Sequence, residues 1–596
     1  MPVFQSYNVK NHGAAGDGIT DDTNAIRTLF SSVPNGCSIY FPTGTYIIDS
    51  ACLLLRNKNN ITIYGDGHSS VVRPSNQGVA PKKQYYHCTL AVDKCTFVHI
   101  RDLAIESKGE NYGDADAAGP LNIPHGDPRA DFTIQNGGSA LLISRSGNVI
   151  CDNLVGRRCG SVTVFYISSC DTVTFNNCYA NAYSVGYAGF CADNWIEYGG
   201  DKYRRRYNFN NCSVYKESNP YAGKSGILIE GDAGNIPTVN INGGLFCDLR
   251  GNSTAHREGV AIDIADANVF IKNITGYNND SSIRLITRGN VPDNIFHDIQ
   301  NCSFYGNLVL GFDITYQGIA PGKTNLFIKN VTQYVNLQSR WATPSEWGPA
   351  TDIVKYKETS ALNFSFYHRN TNLIVVENFI SYGSKIGVRI QDTYKVKLLN
   401  SVIHAENQSF YICGGSIEIN GGEYLTNKGV VAHLQANNMT ENGGTNGSNY
   451  VDFTLLNSSI SSNDNSNLVN WAGPANLLRT WKAKNLAIMN GVLNNPASAA
   501  STIKDTDTIL KRQFAIVKSA YYDNSPNQFA VVLKVAGLVN NPRFAYSYNQ
   551  MIGPEGVRTA VHWGGNIEDS EVRLYGSDTS SLYKPSTQLI FYTGGY

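Results

Sequence analysis

The sequence predicts an all-β chain wound as a three-sided parallel solenoid, with one helix covering its start and a separate β-rich domain at its end. Three observations predict it. First, a phrase of strand, Asn or Gly, then strand recurs, as in Val173–Cys178, Asn208–Cys212 and Val239–Gly244. The residue at its bend is Asn177, Asn211, Gly243, Asn273, Asn301 and Asn330, at spacings of 34, 32, 30, 28 and 29. Further on, Asn378, Asn400 and Gly421 follow at 22 and 21. A floor near 21 with variable additions suits a coil whose strands stay in register while its turns lengthen. A propeller would repeat more evenly, at about 40–45 residues. Asn and Gly tolerate the left-handed backbone of a sharp corner, and stacked Asn side chains can hydrogen-bond along the column.

Second, a short apolar phrase returns with an acid at its end: Gly189–Asp193, Gly226–Glu230 and Gly259–Asp263. Its acids fall 37 and then 33 residues apart. Each phrase alternates as a strand does, so Phe190/Ala192, Ile227/Ile229 and Val260/Ile262 share one face. Asp193, Glu230 and Asp263 share the other. On successive coils they are expected to stand in a column at about the 4.8 Å strand spacing.

Third, helix signals are confined to residues 1–50, read as the N-terminal cap. Thr20 or Asp21 can cap a helix with Asp21 and Asp22 in its first turn and Ile26, Leu29, Phe30 and Val33 as one apolar stripe. Pro34-Asn35-Gly36 ends it, and a strand with Phe41, Tyr46, Ile47 and Ile48 follows. Such a helix shields the open end of a solenoid.

Residues 51–497 carry the coils. Two insertions, 106–137 and 334–371 (with Trp341 and Trp347), are long enough to wall a groove. Beyond them, 498–596 read as a β-sandwich-like C-terminal domain, with strands at Phe514–Val517, Phe529–Val535, Arg543–Tyr548, Val557–Trp563, Val572–Tyr575 and Leu589–Tyr592.

Lys plus Arg and Asp plus Glu both total 48, so the chain lacks the basic excess that favours nucleic acid or an anionic membrane. With 16% charged residues, 56 Gly and 35 Tyr, its surface suits neutral, hydroxyl-rich ligands better than phosphates. Thirteen cysteines stand singly with no CxxC pair, which argues against a zinc site or a disulfide framework. Cys178, Cys212 and Cys302 recur at one place in the repeat and read as small buried side chains, favouring synthesis in a reducing compartment. No cofactor and no metal are expected. The N-terminus shows neither a basic n-region nor an apolar h-region, and no run approaches the ~20 apolar residues of a membrane helix. The chain is expected to be soluble.

The opening Asn8–Ile26, with Asp17-Gly18-Ile19-Thr20-Asp21-Asp22 inside it, and Phe41-Pro42-Thr43-Gly44-Thr45-Tyr46 after it, closely resembles the start of the pectate-lyase-like right-handed β-helix proteins. The resemblance implies a right-handed parallel β-helix; Asp17, Asp21 and Asp22 are read as structural. Within that superfamily the layout looks like a bacteriophage tailspike or capsule depolymerase. That resemblance implies a homotrimer on the virion that binds and cuts a bacterial surface polysaccharide, capsule or O-antigen, outside the cell. Tailspikes often begin with a particle-binding head domain, so attachment is expected either through another virion tail protein or through such a domain preceding this sequence.

Glycoside hydrolysis uses two carboxyl groups, about 5–5.5 Å apart for retention or about 6.5–9.5 Å for inversion. Glu230 and Asp263 are the preferred catalytic pair, with Glu230 as the acid; Asp193, Asp232 and Asp266 are the alternates. Trp195 and Tyr198 are candidates for stacking on sugar rings, and Lys224, His256, Arg257 and Arg284 for binding acidic groups. Arg204-Arg205-Arg206 reads as a solvated turn. Two other readings stay open: a lyase eliminating at a uronate, with calcium on the stacked acids, and a binding-only adhesin.

Overall fold

The computed structural model describes residues 5–48, 52–74, 88–106, 139–157, 163–181, 188–193, 205–215, 225–231, 236–249, 259–287, 295–307, 310–316, 324–335, 360–366, 371–436, 450–464, 468–473, 477–484 and 486–490, and the backbone of 517–523, 529–535, 551–552, 558–559 and 571–576. It divides into two compact units, one built on residues 1–323, the other on 324–335 and the chain from 358.

The first unit is a right-handed parallel β-helix of three stacked sheets. Sheet one contains Ser38–Phe41, Ile61–Gly65, Thr172–Asn176 and Arg206–Asn210. Sheet two contains Gly44–Ile48, Ser70–Pro74, Tyr179–Asn181 and Ser213–Tyr215. Ten-residue strands such as Phe97–Glu106, Asn148–Arg157 and Thr238–Cys247 run through both, turning at Asp102, Asn153 and Gly243. Sheet three stacks Leu53–Arg56, Leu90–Asp93, Leu141–Ser144, Thr163–Ser168, Ala188–Asp193, Ser225–Glu230, Val260–Ala265, Ser281–Thr287 and Leu310–Tyr316. Inward positions fill the interior, where Phe165 stacks on Phe190 (5.0 Å) and Phe175 on Phe209 (5.8 Å).

The corner between sheets one and two is where the recurring Asn was expected. Asn177, Asn211, Asn273 and Asn301 all have φ between 51° and 59°, and Gly243 has φ 72°. Short polar side chains bear this left-handed backbone best because they bond locally. Asn211 Nδ2 donates to Asn177 Oδ1 (3.4 Å) and Asn153 Nδ2 to Asp102 Oδ1 (2.9 Å), so the column is a hydrogen-bonded ladder. At Gly243 a Cβ would stand 2.2 Å from Asn211 Oδ1, so the glycine makes room for the asparagine below. The cysteines that follow these corners, Cys178, Cys212 and Cys302, are buried, as expected; burial pushes the last two up to about 12.

The helix spans Thr23–Ser32 and buries Ile26, Leu29 and Phe30, with Val33 just beyond. Asp21 Oδ1 accepts from Thr23 N (3.0 Å), and the Lys58 ammonium donates to the Ser31 and Val33 carbonyls (2.9 and 2.6 Å). Cations suit that end of a helix. Asp22 instead faces inward, where its oxygens accept from Ala15 N and Gly16 N. Asp17 accepts from Ile19 N and Thr20 N, which hold its carboxyl down at about 2. Within the segment expected as a cap, Ser6–Asn8 already pairs with Ser38–Phe41 and Asp17–Asp21 with Gly44–Ile48, so coiling starts there.

In the second unit Thr324–Val335 pairs in parallel with the start of Thr371–Thr426, whose extended chain bends at Asn378, Asn400 and Gly421, all with positive φ. Asn378 Nδ2 donates to Asn330 Oδ1 (3.0 Å). Ser360–Phe366, inside the second expected insertion, is a strand paired with residues 386–391, its apolar Ala361, Leu362 and Phe364 buried. Near the C-terminus, Val517–Asp523, Phe529–Val535 and Glu571–Gly576 form an antiparallel sheet. Of the expected Phe514–Val517, Val517 opens the first of these strands and residues 514–516 lie outside the described residues. Trp341, Trp347 and the strands expected at Arg543–Tyr548 and Leu589–Tyr592 lie outside the described residues.

Candidate active site

Sheet three orders its outward side chains in columns. One column reads Leu54, Ala91, Leu142, Tyr166, Cys191, Leu228, Asp263, Arg284, Asp313, each in register with the next. Its first part is apolar and largely buried: Cys88, Ala91 and Leu142 pack with Cys52, Leu54 and Tyr166, and Ala188, Cys191 and Leu228 with Tyr166. Its last part is charged.

The three acids expected in one column do not all share it. Asp193 is in register with Glu230, but Glu230 is in register with Ala265, and Asp263 with Leu228. The interior decides this, because Ile227 and Ile229 lie beside Ile262 and Ile264. Aligning the phrases by their acids displaced the last strand by two residues, a slip that keeps every side chain on its face. Glu230 and Asp263 are therefore diagonal neighbours, one coil apart and two residues along, with Cα atoms roughly 8 Å apart.

Asp263 is buried, and Arg284 of the next coil donates through Nε to its Oδ1 (2.9 Å) and through Nη2 to its Oδ2. Ser225 Oγ donates to Oδ2 at 3.4 Å. This bidentate grip fixes the carboxylate plane. Arg284 is in turn in register with Asp313, itself buried. Asp313 escaped the sequence reading. Its signal was there: Ile262-Asp263-Ile264, Ile283-Arg284-Leu285 and Phe312-Asp313-Ile314 are one apolar–charged–apolar triplet on three consecutive coils.

Glu230 is partly exposed at the strand end. Gly231, which follows it, presses on the next coil: a Cβ there would lie 2.0 Å from the Asp266 carbonyl oxygen. Asp266 is a corner residue, buried, with φ 50°, its N–H donating to Ile286 O (2.9 Å). Lys94, Arg145 and Ser169 hold the same corner with φ 52°, 44° and 52°. Asp266, a catalytic alternate in the sequence, thus stands at the corner one residue beyond the strand and outside the Asp263 column. Arg205, read as part of a solvated turn, is a left-handed corner (φ 53°) and fully buried, its N–H donating to Cys170 O and its carbonyl accepting from Thr238 N of the neighbouring coils. Asp232, Trp195, Tyr198, Lys224, His256 and Arg257 lie outside the described residues, as does the side chain of Asp193. Among the described residues no group of three or more His, Cys, Asp or Glu could hold a metal ion.

Residues 6–87 match the family described as rhamnogalacturonase A/epimerase, pectate lyase-like. That pectate-lyase-like segment includes both stretches of the opening motif. The chain is 31% identical over 138 residues to alginate lyase 7 of Azotobacter vinelandii, covering 22% of this chain and 16% of that protein. It is 36% identical over 74 residues to mannuronan C5-epimerase AlgE5 of the same organism, covering 11% and 7%. The chain thus spans less than a fifth of the length of either relative. Among solved structures, the family 28 exopolygalacturonase of Yersinia enterocolitica covers 83% of this chain and 79% of its own at 12% identity, with a TM-score of 0.39. The N-terminal fragment of bacteriophage phi29 gene product 12 covers 82% and 72% at 14% identity, with a TM-score of 0.43.

Proposed function

We propose that the chain depolymerises a bacterial surface polysaccharide, capsule or O-antigen, by endo-acting hydrolysis on the outer face of sheet three. The observation that carries this reading is the charged end of the outward column, Asp263–Arg284–Asp313, with Glu230 diagonal to Asp263. Glu230 and Asp263, with Cα atoms roughly 8 Å apart on diagonal positions, can keep their carboxyl groups far enough apart for a water between base and sugar, as inversion requires. In this reading Glu230, at the exposed end of its strand, donates the proton to the leaving oxygen. Asp263, an acceptor held in one plane by Arg284, takes the proton of the attacking water. Arg284 positions Asp263. A coil bearing the acids followed by an antiparallel C-terminal sheet supports placing the protein in a phage tailspike, a homotrimer carried on the virion by another tail protein and acting outside the cell.

A second reading is a lyase. It would remove the proton beside the carboxyl of a uronate. The pectate-lyase-like segment and relatives named for alginate and mannuronan point the same way. Incubation with a panel of capsular and O-antigen polysaccharides, with mass spectrometry of the fragments, separates the two. Hydrolysis adds one water per cut, whereas elimination adds none and leaves an unsaturated, ultraviolet-absorbing end. A panel left wholly intact would overturn both readings in favour of an adhesin.

A further inference from the structure

Among the described residues, Cys52 and Cys88 are the cysteine pair whose sulfurs meet, with Sγ atoms 2.9 Å apart. Both belong to the apolar cluster on the outer face of sheet three, beside Leu54, Ala91 and Leu142. Other sulfurs are engaged differently: those of Cys95, Cys170, Cys178 and Cys212, away from that face, point at backbone carbonyl oxygens of the coil beneath. The register makes the contact a consequence of the winding. Leu53 pairs with Leu90, and Leu53 N donates to Thr89 O (2.9 Å), so Cys52 is beside Thr89 and one residue off Cys88. One coil rise combined with one residue of offset puts the two Cα atoms roughly 5.8 Å apart, within the usual span of a disulfide.

We infer that Cys52 and Cys88 form a redox-sensitive clasp, a modification site that a disulfide-type oxidant closes across neighbouring coils of sheet three. With oxidised glutathione as the oxidant, one cysteine thiolate attacks a glutathione sulfur and releases the first glutathione. The second thiolate then attacks the mixed disulfide and releases the other. Two protein thiols are oxidised, one glutathione disulfide is reduced to two thiols, and no other reactant is needed. Burial pushes the Cys52 thiol well up, so the thiolate is scarce at neutral pH and closure quickens as pH rises. The clasp is open when the chain is made in a reducing compartment and closes outside it. Closure joins positions 36 residues apart near the start of the coil, restricting the unfolded chain.

The test uses the full chain, first reduced and desalted, then incubated with oxidised glutathione at pH 8.5. It is denatured, its remaining thiols are alkylated, and the digest is read by mass spectrometry. Eleven of the thirteen cysteines should be alkylated, a linked peptide should join Cys52 to Cys88, and the Tm should lie a few degrees above that of the reduced chain. In Cys52→Ser the oxidant should give neither the link nor the Tm shift. Thirteen alkylated cysteines, glutathione left on Cys52, or a link joining another pair would overturn it. The peptide readout decides the matter in the unsubstituted chain even if the variant folds poorly.

Discussion

Arg284 grips both carboxylate oxygens of Asp263 from the next coil, and the two side chains are 18% and 6% exposed. An ion pair this enclosed contributes less by its attraction than its breaking would cost, because the surviving charge is left in the protein without its partner. Arg284→Met should therefore lower the midpoint of urea denaturation by an amount equivalent to roughly 3 kcal/mol. Removing both charges, in Asp263→Leu/Arg284→Met, should return part of that loss. A double variant weaker than the single one would mean that Asp263 depends on other partners.

The diagonal placement of Glu230 and Asp263 makes a stereochemical prediction. The hydrolysis product should first appear with the anomeric configuration opposite to the substrate's, as followed by proton NMR during the first turnovers. Glu230→Gln and Asp263→Asn should each lower kcat by about 10²–10⁴-fold while leaving the circular dichroism spectrum unchanged. Retention of configuration would instead favour the directly stacked Asp193 and Glu230, whose backbones are one strand spacing apart.

The coil was legible because it imposes a backbone demand at a fixed place. A left-handed corner admits few residues, so Asn177, Asn211, Asn273 and Asn301 mark it in the letters themselves. The register of sheet three was less legible. It is set by inward isoleucines, and a two-residue slip between Ile229 and Ile262 leaves the alternating pattern intact, so Asp263 was aligned with Glu230 instead of Leu228. Asp313 is hidden from a search for repeated acids because its column passes through the cation Arg284, which breaks the run of carboxylates. Arg205 misled for another reason: three adjacent arginines suggest solvent, yet the corner places the middle one inside.

His297 offers a pH test of the first unit's interior. It is an inward residue of the strand Ile295–Asn307, beside Val269, and burial holds its imidazole down at about 3 against an ordinary 6.5. The native chain keeps it neutral while the unfolded chain protonates it below 6.5, so the unfolded state binds the extra proton. Stability is therefore full above that value and falls as the pH drops toward 3. Between pH 6 and 4 the loss attributable to His297 should approach about 1.4 kcal/mol per unit. Subtracting the profile of His297→Leu from that of the unsubstituted chain isolates it. Parallel profiles would show that His297 takes up its proton in the folded protein.

The ladder at the corner predicts a coupling between two residues that are neighbours only because the chain coils. Gly243→Ala places a methyl group 2.2 Å from Asn211 Oδ1 and puts alanine at φ 72°. The backbone term alone costs about 1–2 kcal/mol, and the collision adds to it. Asn211→Ala removes the oxygen but leaves the backbone term, and it also loses the bond to Asn177. The pair should therefore be non-additive: Gly243→Ala should be milder in the Asn211→Ala background, by roughly 1 kcal/mol in a denaturation double-mutant cycle. Strict additivity would mean that the Asn211 side chain turns aside freely, and that the asparagine column positions nothing on the coil above it.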